Sequence, residues 1–169
     1  MNILVTGSSG LIGTALIDRL QNEGHRVARM RRGRPAAPNA DAPIRDVAWD
    51  PVGGTVDRAG LAAAGPFDGV VHLAGAGIGD RRWSAARKRV IVDSRTASTS
   101  LLVDALLGLA EPPPVLISAS AVGYYGIRGD EALTEESAPG TDFLASVCTD
   151  WEAAAGADSS VSASSPRIP

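Results

Sequence analysis

The sequence predicts an α/β fold, a Rossmann-type doubly wound parallel sheet with helices on both faces, incomplete at the C-terminus. Three observations predict it. Short apolar runs alternate with stretches of helical period. A glycine-rich turn follows the first run at once. Residues 156–169 lack the apolar run with which such a sheet would continue.

The elements follow in order. Ile3-Leu4-Val5, closed by Thr6-Gly7, reads as a buried parallel strand, apolar on both faces. From Leu11 the period becomes helical, with Leu11, Ile12, Ala15, Leu16 and Leu20 on one side and Gly24 as the stop. Residues 25–30 read as a second strand, 31–43 as a Pro- and Ala-rich loop, and 44–49 as a weak third strand ended by Asp50-Pro51. A short helix fits 57–64, and a fourth strand fits 67–75, exiting through Gly75. One long helix is expected over 84–109, closed by Pro112-Pro113-Pro114. Residues 115–119 give a fifth strand, then a polar loop with Tyr124 and Tyr125, then a helix over 141–155. Phe143, Val147 and Trp151 recur there at i, i+4 and i+8. Residues 156–169 are Ser-rich and without period, so a disordered or aberrant tail is expected.

Composition narrows the function classes. The chain has 169 residues, 44% of them hydrophobic and 21% charged, enough for one domain with a core. A net charge of -3 argues against a nucleic-acid partner. No apolar run approaches the roughly 18 residues of a membrane span, and the N-terminus lacks a signal peptide's basic region. A soluble cytoplasmic protein is the expectation. One cysteine, Cys148, permits no internal disulfide, and two histidines beside it make no zinc cluster.

The chemistry lies first in Gly7-Ser8-Ser9-Gly10-Leu11-Ile12-Gly13, set between strand and helix. Gly7 permits a tight turn, Gly10 lets the backbone approach a pyrophosphate, and Gly13 lets the helix pack on the strand. The helix N-terminus offers N–H groups and partial positive charge to the phosphates. A dinucleotide is therefore expected. At the end of the second strand, where an acid would hold a ribose 2′-hydroxyl, stands Met30-Arg31-Arg32-Gly33-Arg34. Guanidinium groups suit a 2′-phosphate, so NADP(H) is favoured over NAD(H), with Arg31 and Arg32 as clamps.

The motifs TGSSGLIG at 6–13, Trp49-Asp50-Pro51, VVHLAG at 70–75, RRW at 81–83, DSR at 93–95, SASAVGYYG at 118–126 and Asp150-Trp151-Glu152 extend the pattern. With them the sequence resembles the epimerase family protein branch of the extended and atypical short-chain dehydrogenases/reductases, over residues 1–155. The resemblance implies an NAD(P)-binding Rossmann-type domain over those residues. It implies that Gly7, Gly10 and Ile12 line the pyrophosphate, that Leu73, Ala74 and Gly75 pass beneath the adenosine side, and that residues 118–120 lie near the nicotinamide. It implies a small-molecule substrate such as a sugar nucleotide. Members of the branch are about twice as long, so a C-terminally truncated member is expected, through a shifted frame, an early stop or a natural short form.

A short-chain dehydrogenase uses a Tyr as acid/base with a Lys four residues later. The helix at 141–155 contains neither, and Lys88 is the only lysine. Ser120 and Ser118 stand where the resemblance puts the Ser/Thr that orients the substrate hydroxyl. Tyr124 or Tyr125, with Tyr125 preferred, could present a phenol. Packing is the competing role for these tyrosines, for mid-strand His72 and for Trp151. Arg81 and Arg82 are either a helix-start basic patch or contacts to an acidic substrate. Two functions remain open: an NADP(H)-dependent epimerase or oxidoreductase, or a non-catalytic NADP(H)-binding module.

Overall fold

The computed structural model describes residues 1–33, 44–156 and 161–168. Most of the expected loop at 34–43, Arg34 included, lies outside the described residues, as do 157–160 and 169.

Strand β1 (Asn2–Thr6) is buried at every position and forms the middle of the sheet. Helix α1 (Leu11–Asn22) returns the chain to β2 (Arg26–Arg31), which pairs parallel with β1, Ile3 opposite Val27. Strand β3 (Ile44–Asp50) adds beyond β2, also parallel. A two-residue strand β4 (Thr55–Val56), not anticipated from sequence, closes that edge antiparallel. Helix α2 (Arg58–Ala64) is capped by Asp57, whose carboxylate accepts from the Gly60 N–H at 2.9 Å. The chain then crosses to the other side of β1 and lays down β5 (Gly69–His72) in parallel. The order is β4-β3-β2-β1, then β5, β6 (Val115–Ser118) and β8 (Ser162–Ser164). Growth thus reverses between β1 and β5, and the crevice at their carboxyl ends is where such sheets receive ligands.

Alternation along the strands divides the core. Ile3, Val5 and Val27 meet Ile17 of α1 on one face. Leu4, Met30, Val70 and Leu116 face the other way, into a larger cluster with Leu61 of α2, Leu102 and Leu106 of α4 (Thr96–Leu107), and Ala155 of α5 (Phe143–Ala155). Helices on both faces follow from that period of two.

Two sequence expectations are corrected, and a third is extended. The single helix at 84–109 is two, α3 (Ala85–Asp93) and α4, broken at Ser94 and Arg95. The side chains at the break turn to a neighbouring loop: the Ser94 hydroxyl accepts from the Ala76 N–H at 3.0 Å, and Arg95 Nη1 donates to the Ala76 carbonyl at 3.1 Å. An apolar period does not register that competition. The strand expected at 115–119 is present as β6, and the polar loop expected after it holds a further strand, β7 (Ser120–Ala121), outside the main sheet, and a 3₁₀ turn over Val122–Tyr125. The expected structureless tail instead carries β8, parallel to β6, and β9 (Arg167–Ile168), parallel to β7. Strand β8 is exposed at all three positions and held through its backbone, as where the Ser162 N–H donates to the Pro114 carbonyl at 3.1 Å. An edge strand of that kind needs no apolar run.

Candidate functional site

The glycine turn sits at the carboxyl end of β1, against the exit of β5. Gly7 has φ +67, and a Cβ there would lie 2.5 Å from the Leu73 carbonyl carbon and 2.9 Å from the Ala74 nitrogen. A side chain is therefore excluded both by conformation and by space. A Cβ at Gly13 would collide with the Gly7 carbonyl oxygen, so the first turn of α1 rests directly on the loop. Gly10 closes the turn, its N–H donating to the Gly7 carbonyl at 3.0 Å, and serves as N-cap without a side-chain cap. The first N–H groups of α1 are consequently not satisfied by a capping side chain. Leu11 is 91% exposed and Ile12 is exposed beside it. The result is a cradle a Cβ would fill, opening on an uncapped helix start, which fits a dinucleotide pyrophosphate.

A buried relay fixes this loop to β5. His72 is fully buried, with Nδ1 2.6 Å from Thr6 Oγ1 and Nε2 2.9 Å from Thr99 Oγ1. Thr99 Oγ1 donates to the Arg95 carbonyl, so it must accept from His72 Nε2–H. Nδ1 then accepts the Thr6 hydroxyl proton, and Thr6 Oγ1 accepts from the N–H groups of Leu73 and Ala74 at 3.2 and 3.3 Å. Burial pushes the imidazole down to about 4, so it stays neutral. His72 is a core residue, as read from its mid-strand place, but its two threonine partners are not visible in the sequence.

At the end of β2, Arg29 and Arg31 flank Asp46 of β3. Arg29 Nε donates to Asp46 Oδ1 at 2.7 Å and Nη2 to Oδ2 at 3.0 Å, while Arg31 Nη1 reaches Oδ2 at 3.3 Å. Burial alone would raise the Asp46 carboxyl. The hydrogen bonds and charge of Arg29, then of Arg31, outweigh it and hold the group below its ordinary range. Arg31 is thus shared with an acid. Arg32 has no ion pair among the described residues and lines an open cleft of about 490 Å³ with Gly33, Trp49, Asp50, Thr55 and Asp57.

The structure places the three catalytic candidates at the ends of β6 and β7. Ser118, Ser120 and Tyr125 are all buried. Ser118 ends β6 opposite His72 of β5. Ser120 Oγ donates to Glu152 Oε1 of α5 at 2.6 Å. Tyr125 Oη accepts from Arg167 Nη1 at 2.9 Å, and the same guanidinium makes a two-bond pair with Glu152 at 2.9 and 3.0 Å. It also lies 3.4 Å from the Tyr124 ring centre. Burial acts to raise the Glu152 carboxyl, but bonds from Arg167 and Ser120 bring it below its ordinary value. Arg167 is raised by Glu152, against its own desolvation. Ser120, Glu152, Arg167 and Tyr125 thus form one network, of which sequence reasoning found only the serine and the tyrosine. Arg167 lies in the aperiodic tail, where no pattern marked it.

Lys88 is not part of this network; its Nζ stands 4.8 Å over the ring of Phe143. Trp83, exposed, meets Phe143 edge-on at 5.6 Å and donates to the Ile78 carbonyl at 2.8 Å. Arg81 and Arg82 are exposed.

Comparison with known proteins gives a consistent result. The model of the NAD dependent epimerase/dehydratase family matches residues 3–157. An epimerase family protein of Mycobacterium bovis is 42% identical over 154 residues, 90% of this chain and 47% of the relative. The human epimerase family protein SDR39U1 is 34% identical over 160 residues, 92% of this chain and 49% of its own. The chain spans about half the length of these relatives. Among solved structures, human SDR39U1 (isoform 2) with NADPH superposes with TM-score 0.77 at 30% identity, covering 99% of this chain and 53% of that one. A nucleoside-diphosphate sugar epimerase from Corynebacterium glutamicum gives 0.77 at 37% identity, covering 99% and 33%.

Proposed function

Because the chain belongs to the NAD dependent epimerase/dehydratase family, we propose that it binds NADP(H) in the cradle between Gly7 and Gly13 and serves an epimerase or oxidoreductase reaction. The observation that carries this reading is the uncapped start of α1 over Gly7, packed on the Leu73–Ala74 backbone at the switch between β1 and β5. Gly7, Gly10, Leu11, Ile12 and Gly13 surround the pyrophosphate, while Leu73, Ala74 and Gly75 line the adenosine side. Arg32, unpaired among the described residues, and Arg31, partly held by Asp46, favour a 2′-phosphate over a bare ribose hydroxyl. The solved relative that carries NADPH agrees with that preference.

The cofactor's nicotinamide would supply hydride exchange at a carbinol carbon. The chain's part is to hold a proton near it. Tyr125 Oη accepts from Arg167, so its own hydroxyl hydrogen is directed elsewhere, toward a substrate oxygen, while Ser118 and Ser120 stand at the ends of β6 and β7. The substrate class is a hydroxyl-bearing small molecule of the nucleotide-sugar kind, after the sugar-nucleotide epimerase among the similar structures.

A non-catalytic NADP(H)-binding module is the second reading. It is favoured by the lack of Tyr and Lys on α5 and by the use of Ser120 in the Glu152 network.

Melting with each cofactor tests the first claim. At a hundredfold excess over Kd, linkage adds about 2.7 kcal/mol, or several degrees for a chain of this size. NADPH is expected to raise the melting temperature more than NADH, and Arg32→Met to erase the difference; no response to either cofactor refutes the cradle. Carbonyl-dependent NADPH oxidation that disappears in Tyr125→Phe separates the enzyme from the binding module.

A further inference from the structure

The loop leaving β5 is held from below by two arginines that lack a full complement of acids. Arg95, at the break between α3 and α4, is half-buried and has no carboxylate within ion-pair distance among the described residues. Its recorded hydrogen bonds all use Nη1, to the carbonyls of Ala76 and Ile91 and to Ser94 Oγ. Its guanidinium carbon lies 3.3 Å from where a Gly75 Cβ would be, so the glycine leaves room for it against the loop. Arg87 of α3 reaches the same loop, donating through Nη2 to the Gly77 carbonyl and, at 3.4 Å, to the largely exposed Asp80. Both side chains therefore reach carbonyls of adjacent loop residues, Gly77 and Ala76. Burial lowers Arg95; the neighbouring Cys148 acts to raise it and the charge of Arg87 to lower it.

Two side-chain atoms among the described residues are buried polar groups without a hydrogen-bond partner: Arg87 Nε and Trp151 Nε1. Both belong to neighbours of Arg95, whose guanidinium lies 5.1 Å from the Trp151 ring centre. Trp151 is 5% exposed. Both orphans are donors, so what they call for is an acceptor. Arg95, without a carboxylate among the described residues, calls for the same thing with negative charge, and Arg87 has only the largely exposed Asp80 at 3.4 Å.

We propose that Arg87, Arg95 and Trp151 form an oxyanion subsite under the loop at 75–80, taking a phosphate or carboxylate group of a second ligand. The subsite is separate from the glycine cradle. Its donors are different residues, on α3, at the α3–α4 break and on α5, although the loop above them begins at Gly75, and it stands whether or not the cofactor reading holds. Phosphate and carboxylate share the chemistry the site recognises, which is two or more oxygens with negative charge facing N–H donors.

The test is thermal titration with inorganic phosphate and, separately, acetate, at constant ionic strength, on the protein without NADPH and again at saturating NADPH. At least one anion is expected to raise the melting temperature saturably. The response should vanish in Arg95→Met, weaken at least tenfold in apparent affinity in Arg87→Met, persist in part in Arg95→Lys, and be unchanged in Arg32→Met. Each variant is scored by its own anion-dependent increment, so a lower starting stability does not mask the result. Three outcomes overturn the proposal: no saturable response to either anion, which leaves the orphan donors to water; an equal response in Arg95→Met; or loss of the response on adding NADPH, which would put the anion in the pyrophosphate cradle. If NADPH itself does not bind, the cofactor reading fails alone, and the same series without it still decides this one.

Discussion

Gly7 and His72 show how much of the site is decided by single residues. Gly7→Ala puts a Cβ onto the Leu73 carbonyl carbon at a positive φ. Left-handed backbone costs an L-residue about 1–3 kcal/mol before any clash is counted. The variant should unfold at lower urea and lose its NADPH-induced melting shift together, because fold and cradle share that contact. His72 gives a pH signature. Its folded value, about 4, lies below the unfolded 6.5, so the unfolded chain binds more protons between those values. Stability is whole above 6.5 and falls as pH drops towards 4, by up to about 1.4 kcal/mol per pH unit and about 3 kcal/mol in all. Urea midpoints from pH 8 to 4 should show this slope, and His72→Gln should flatten it. The glycines were legible because a motif's spacing is local. The Thr6–His72–Thr99 relay was not, because its members stand 66 and 27 positions apart and meet only once the sheet has formed.

At the scale of elements, apolar period located most helices and strands but not their ends. Helix α5 starts at Phe143 because Asp142 accepts from the Ala145 N–H at 3.0 Å. Removing such a cap costs about 1 kcal/mol, so Asp142→Ala should lower the unfolding free energy by that amount while leaving cofactor affinity unchanged by calorimetry. The split of α3 from α4 escaped sequence reading because Ser94 and Arg95 are acceptable within a helix; the backbone of Ala76 competes for their side chains and wins. Strands β8 and β9 escaped for the opposite reason. They are held by main-chain bonds and by Arg167, while pattern reading weighs side-chain apolarity. Arg167→Met leaves Glu152 with Ser120 alone and should cost about 1–3 kcal/mol. Hydrogen exchange should locate the loosening in residues 162–168 and the 122–125 turn, with β1 and β5 still protected.

For the molecule as a whole, the doubly wound architecture was readable because strand and helix alternate, and the ligand crevice followed from where the order reverses. The described residues contain no helix long and apolar enough to cross a membrane. What the order of elements could not convey is how evenly the two sheet faces are covered. Beside α1 the covering is close, yet Val115 and Ile117, both on β6, are each 39% open on their side. Next to them runs β8, a short rim of serine and alanine whose outer amides and carbonyls pair with no strand of the described chain. A greasy strip alongside an open ladder is adhesive at high protein concentration. Light scattering should show particle mass rising with concentration, and Ala163→Lys, placing a charge on that margin, should keep it level.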